Sequence, residues 1–222
     1  MIRQLRRTAV GLVAAGAMLF AVAACGAPGY TYASDGADNA YFKVPASWPQ
    51  VDPGVVAGAQ SELSQSAAGL AGGTFAWSRA YDAAAHPAPT ALFIGSHTPV
   101  VYASVQDLNA ALRAALSFDE MRNLILPVTS AARQSATASG FTLTGFDLLL
   151  SNTIATKNGV RGINEAFEYI VAGRPDVFDL TVATNSSTTK LYMLLVQCYQ
   201  DCFVAHQAQI VAVVNSFTVR GS

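Results

Sequence analysis

Six apolar residues run without a polar break at Leu191-Tyr192-Met193-Leu194-Leu195-Val196. A strand with one wet face alternates every second residue, and a strand covered on both faces does not. This segment is therefore expected in the middle of a sheet, with material on each side. Three further strand patterns precede it, over residues 141–151, 160–171 and 177–184, and the run itself belongs to a fourth over 190–197. The links hold Asn158-Gly159, Gly173-Arg174-Pro175 and Asn185-Ser186-Ser187. Connections this short join antiparallel neighbours, so the four strands should form a meander. A helix capped by Asp201 is expected next, with Phe203, Val204, Ile210, Val211 and Val214 as its apolar face. Residues 216–219 close the pattern as a short strand.

The earlier half is less regular. Tyr41-Phe42-Lys43-Val44 reads as a strand halted by Pro45, with Trp48 beyond it as a core plug. A short helix is expected over 55–63. Residues 74–81 alternate as a half-buried strand with Phe75, Trp77 and Arg79 on one side. The stretch with His86, Pro87 and Pro89 reads as a loop, and 91–97 and 100–103 as short strands around Pro99. Ser104 lies three residues before Asp107, and Ser117 three before Glu120, which is the spacing of a helix start. Val105, Leu108, Leu112 and Leu116 would stripe the first helix. Met121, Leu124, Ile125 and Val128 would stripe the second, which Pro127 should kink or end. A third helix over 129–139 is closed by Gly140.

The N-terminus changes the picture. Residues 1–7, MIRQLRR, are basic, and residues 8–24 are apolar. Together they read as an export signal rather than a membrane span. Val22-Ala23-Ala24-Cys25-Gly26 resembles a bacterial lipobox, with valine where leucine is usual. That resemblance implies cleavage before Cys25, acylation of its thiol, and anchoring to the outer face of the cell membrane by chains that hold stably only in combination. The organisation expected is a signal peptide at 1–24, a flexible tether at 25–38 and one domain over 39–221. Much of the 52% hydrophobic content lies in the leader and in alanine. Removing three leader arginines leaves 10 basic residues against 14 acidic ones, a net charge of −4. That balance argues against a nucleic-acid or polybasic membrane surface.

Phe42-Lys43-Val44-Pro45 with Trp48, Gly159 and Gly162 around the second meander strand, and the ending from Ile210 through Ser216-Phe217-Thr218-Val219 resemble the PsbP/LpqN-like superfamily. The chain is also similar to exported actinobacterial-type lipoproteins with a Cys-x3-Cys before the last helix. The resemblance implies an α+β fold in which an antiparallel meander is sandwiched between helical layers. It names no chemistry, because members of one fold do unrelated jobs.

Cys198 and Cys202 carry the strongest chemical signal. On the oxidising side of a membrane a disulfide is the plainer reading. The alternative is metal binding with His206, which follows Cys202 by one helical turn. Ser96 beside His97 reads as a chance adjacency, and neither Gly-x-Ser-x-Gly nor a phosphate-binding glycine pattern occurs. Arg161, Glu165 and Tyr169 share one strand face with Ile163 and Phe167. Glu165 and Glu168 point to opposite faces and cannot act as one acid–base pair. The function expected is that of a non-catalytic lipoprotein without cofactor or metal, binding or supporting an envelope protein partner at the membrane. A small-ligand or lipid binder with an apolar pocket between sheet and helices is the alternative, and a cryptic hydrolase the third reading.

Overall fold

The computed structural model describes residues 29–66, 74–87 and 92–220. The expected signal peptide and Cys25 lie outside the described residues. The backbone of the fold is a six-stranded antiparallel sheet. Its strands are β3 (Thr74–Asp82), β4 (Val100–Asp107), β5 (Thr144–Ala155), β6 (Arg161–Val171), β7 (Arg174–Thr184) and β8 (Lys190–Tyr199). They lie in the order β3-β4-β8-β7-β6-β5, so the last four form the expected meander and β8 then pairs back onto β4.

That order puts β8 at the centre, and all six residues of its apolar run are buried. Leu191, Met193 and Leu195 join one core, with Tyr102, Phe167, Phe178 and Leu180. Leu194 and Val196 join the opposite core, with Phe42, Val44, Trp48, Val101, Ile210 and Val213. Trp48 is thus the plug expected of it.

Helices roof the first core: α1 (Pro53–Ser66), α2 (Ala110–Ala115), α3 (Phe118–Arg122) and α4 (Ser130–Ala138). Gln60 of α1 donates to the Tyr102 hydroxyl at 2.7 Å. Arg122 of α3 pairs at 2.8 Å with Glu165, which is almost wholly buried on β6 and also accepts from Ser151 at 2.7 Å. The Glu165 carboxylate raises the Arg122 pKa above its ordinary value.

The second cover is mixed rather than purely helical. It holds a three-stranded sheet, in the order β1 (Tyr30–Asp35), β2 (Ala40–Pro45), β9 (Thr218–Val219). Beside it lie α5 (Gln200–Ala205) and α6 (Gln207–Val214). Phe42 inserts edge-on between Trp77 and Tyr81, with ring centroids 6.2 and 5.9 Å away. Residues 30–35, read from sequence as tether, are the strand β1, because Ala33 has Phe42 opposite it and is buried in the second core.

Several local expectations give way. Ser104 does not cap a helix: residues 104–107 continue β4, where Val105 is fully buried, and the helix starts at Asn109, whose side chain accepts from Leu112 N. Burial between two partner strands outweighs a capping signal on its own. Residues 92–97 form bends, not a strand. Ser117 does cap α3, accepting from Glu120 N at 3.1 Å. Asp201 makes no capping bond, because its carboxylate is bound by Arg174 at 2.9 Å, and the expected single helix is broken at His206.

Gly162 shows why glycine stands mid-strand. A Cβ there would collide with the Val182 carbonyl oxygen of β7, so only a bare backbone lets β6 approach so closely.

Candidate functional site

The site is built on β5, the edge strand, and on α4 above its start. Asn123 sets α4 in place: its Oδ1 accepts from Val128 N at 2.8 Å and Thr129 N at 2.9 Å, and its amide donates to Thr129 Oγ1 at 3.0 Å. Thr129 then caps α4, accepting from Ala132 N. The Tyr169 hydroxyl of β6 donates to the Pro127 carbonyl and fastens this turn to the sheet. Burial pushes that hydroxyl above the usual phenol range, with the nearby Arg133 charge opposing, so it remains a donor.

Gly145 shapes the opposite wall. Its φ is +67°, and a Cβ would strike the Ile170 side chain. The β5–β6 register slips between Thr144 and Asp147 at this point. The bulge leaves Phe146 on Tyr169, centroids 5.4 Å apart, with Phe141 on the same ring at 5.9 Å. Between α4 and these aromatics lies an open cleft of about 580 Å³, inside the span of roughly 300–1,000 Å³ usual for ligand sites. Arg133 is its one charged lining residue. The guanidinium sits 3.9 Å above the Phe146 ring and donates to the Val128 carbonyl, and among the described residues no carboxylate pairs with it.

Past the cleft, β5 exposes Leu148, Leu149 and Leu150, each 41–50% accessible. A second register slip separates Leu148 from Leu150. The outer side of β5 has no strand partner among the described residues. Cleft and leucines together make the apolar rim of the sheet.

The residues singled out in the sequence fall elsewhere. Cys198 and Cys202 are buried with their sulfurs at disulfide distance and their Cα atoms 6.0 Å apart, bridging the end of β8 to α5. His206 donates from Nδ1 to the Cys202 carbonyl at 3.0 Å, so its ring serves its own helix. Among the described residues no three His, Cys, Asp or Glu side chains gather as a metal site. Ser96 and His97 are not brought together as a catalytic pair. The Ser96 hydroxyl donates to the Thr98 carbonyl at 2.6 Å. The His97 ring instead accepts from Arg174 at 3.0 Å and packs edge-on to Tyr199. Arg161 is exposed, whereas Glu165 and Tyr169 are buried, so the three share a face without lining one groove.

Two carboxyls, the buried Asp176 and the half-buried Asp179, escaped the sequence reading. Asp176 accepts from Gly95 N at 2.7 Å, yet burial pushes its pKa up to about 6. Asp179, which accepts from the Asn164 amide at 2.8 Å, is likewise pushed up to about 6 by burial. Both stand in strand patterns rich in apolar residues, which was the available signal.

No protein-family model matches the chain, and no curated protein does. Solved structures do. The cyanobacterial PsbP, CyanoP, of Synechocystis sp. is 14% identical over 91% of this chain and 99% of its own, with a TM-score of 0.49. LpqN of Mycobacterium tuberculosis, involved in cell envelope biogenesis, is 14% identical over 86% and 90%, with a TM-score of 0.42. The Ran-binding protein Mog1p of Saccharomyces cerevisiae is 6% identical over 86% and 96%, with a TM-score of 0.45. This chain is similar to them in the arrangement of antiparallel sheet and helices. What each of them binds is a property of that protein.

Proposed function

We propose that this chain is an exported envelope lipoprotein, held at the outer face of the cell membrane through an acylated Cys25, whose domain binds a protein partner by its sheet edge. The observation that carries this reading is β5. It offers twelve residues of free strand edge, three consecutive exposed leucines and a single charge, Asp147. Native proteins guard such edges with lysine, proline or a cover, since a free edge templates pairing with another chain. An edge with few guards fits recognition by strand addition, in which backbone hydrogen bonds give affinity and alternate side chains give selectivity.

The lipobox order and the Cys198–Cys202 pair support the export half of the reading, because disulfides persist on the oxidising side of a membrane. The role is binding rather than turnover: Ser96, His97 and His206 are each engaged in separate structural contacts.

A photo-crosslinking residue at position 149 of the full-length protein tests the edge in intact cells. One discrete protein adduct from 149, absent when the same group stands at exposed Val204, is the expected result. Equal adducts from both positions would remove the edge from the interface. Cys25→Ser, followed by mass analysis and detergent partitioning, tests the anchor separately.

The cleft favours a second reading, a small amphiphile with an anionic end. Its walls are aromatic and its only charge is the carboxylate-free Arg133. Native mass spectrometry of gently purified protein should then find a bound ligand that Arg133→Gln loses.

A further inference from the structure

The N-terminal sheet has an outward face of its own. In the β1–β2 register Tyr32 stands opposite Lys43, Tyr30 opposite Pro45 and Ser34 opposite Tyr41. The alternate residues Ala33, Phe42 and Val44 are buried against the large sheet. Successive side chains on a strand point to opposite faces. Tyr30, Tyr32, Tyr41 and Lys43 therefore share the outer face, and Tyr32 is 75% exposed.

Two cations sit on that face, each over a tyrosine. The Lys43 ammonium is 4.3 Å from the Tyr30 ring centroid, and the Arg220 guanidinium 4.8 Å from that of Tyr41. Neither forms an ion pair among the described residues. The acids of this hairpin stand at its turn, far from Tyr30 and Lys43 but at the end that carries Tyr41 and Arg220. Asp35 alternates to the inner side opposite Ala40, and Asp38 is paired with Lys190 at 2.7 Å. A shallow depression of about 290 Å³ lies here, with Tyr32, Tyr41, Lys43 and Ser216 on its walls. Elsewhere in the same layer, α5 and α6 leave Val204 and Val211 exposed.

Chain length supplies the independent argument. Gly29, where the described chain starts, follows Cys25 by four residues. Four residues span at most about 14 Å when fully extended. An acylated Cys25 thus brings the start of β1 within about that distance of the bilayer surface.

We infer that the tyrosine and cation face of the N-terminal sheet rests on an anionic phospholipid bilayer. The inference rests on the lipoprotein reading above. Tyrosine favours the membrane–water boundary, where its ring is apolar and its hydroxyl wet. Lysine and arginine lay their stems on the apolar side and hold their charge at the headgroups. Three tyrosines and two cations form a weak surface alone. The anchor raises their effective concentration at the membrane, so weak contacts suffice to orient the domain. The β5 edge lies five interstrand spacings from β3, about 24 Å across the sheet, and stays clear for a partner.

The test uses the full lipidated protein in vesicles of phosphatidylcholine mixed with phosphatidylglycerol. An environment-sensitive fluorophore is placed at Tyr32→Cys or at Leu149→Cys, and quenched by lipids that carry a headgroup nitroxide. The label at 32 should be quenched several-fold more than the label at 149. Lys43→Gln with Arg220→Gln, or vesicles of phosphatidylcholine alone, should shrink that difference while the protein still floats with the vesicles. Equal quenching at both positions on vesicle-bound protein would overturn the oriented face and leave the anchor standing. Protein that fails to float with vesicles would overturn the anchor itself, and the face with it.

Discussion

β8 and β5 both carry an unbroken leucine stretch, and they belong to the same sheet. In β8, Leu194 and Leu195 are at most 1% exposed, whereas in β5 Leu148, Leu149 and Leu150 are 41–50% exposed. The leucines alone do not separate the two strands. Position does: β8 has a hydrogen-bonded strand on each side and a core on each face, and β5 closes the sheet with one partner. An apolar run can mark the most protected place in a sheet or the place kept open for another molecule. The neighbours decide which.

That contrast can be broken most forcefully at its buried end. Leu194→Asp places an unpaired carboxylate in the second core and removes a fully buried leucine. The loss should exceed about 4 kcal/mol, enough to unfold the domain. Circular dichroism at room temperature checks it, and a native melting curve would contradict the two-sided burial of β8.

Next in size is a pH effect from β7, the strand beside β8. Asp176 and Asp179 have folded pKa values raised from 3.8 to about 6. Both bind protons more readily when folded, so their ionisation opposes folding. The full benefit of the protonated form is present below pH 3.8 and is lost as pH rises through about 6. Asp176→Asn with Asp179→Asn should flatten that part of the stability curve and raise stability at neutral pH, on the order of 3 kcal/mol at most from each group. Urea melts at acid and neutral pH provide the comparison, and an unchanged slope would show that these groups are not the source.

Loss of the cysteine pair should cost less. Cys198→Ser with Cys202→Ser opens a very small loop, worth about 2 kcal/mol in chain entropy, at the junction of β8 and α5. The melting temperature should fall by several degrees. Unreduced, denatured protein should show no titratable thiol from Cys198 or Cys202. Two free thiols with one zinc per chain would instead make His206 a ligand.

Leu149→Asp is expected at the bottom of the scale. It exchanges one exposed side chain for another on β5, so stability should move by less than about 0.5 kcal/mol. A crosslink from the neighbouring exposed position 148 should nonetheless disappear in this variant. A large destabilisation here would show that the edge is covered within the chain.

The centre of the fold was legible because its signals agree. The unbroken run at 191–196, the short links at Asn158-Gly159 and Gly173-Arg174, and the apolar residues after Asp201 all describe one meander followed by a helix. Legibility failed where a local signal met a tertiary demand. Ser104 and Asp107 imitate a helix start, but Val105 is needed in the core and the strand wins. Residues 30–35 look like linker because their strand is mostly polar, and only the long-range pairing of β1 with β2 reveals it. The cysteine pair was readable from spacing and compartment. The cleft was not, because Arg133, Phe141 and Phe146 acquire a common purpose only through the Asn123 turn and the bulge at Gly145. Asp176 and Asp179 were hidden by the apolar residues that bury them.

The N-terminal sheet carries a consequence for the order of events during synthesis. Its middle strand, β2, takes one partner from residues 30–35 and the other from residues 218–219. The Lys43 backbone N–H also donates to Ser216 Oγ at 2.9 Å, across a separation of 173 residues. A chain emerging N-terminus first can close the β1–β2 hairpin early, but β2 must wait for residues 218–219 to arrive. Until then one side of β2 is an open ladder, exposed for the whole time that the meander is being made. Chaperone dependence should therefore concentrate on this delayed closure, and a chain that ends before Thr218 should mature slowly even though its meander is complete.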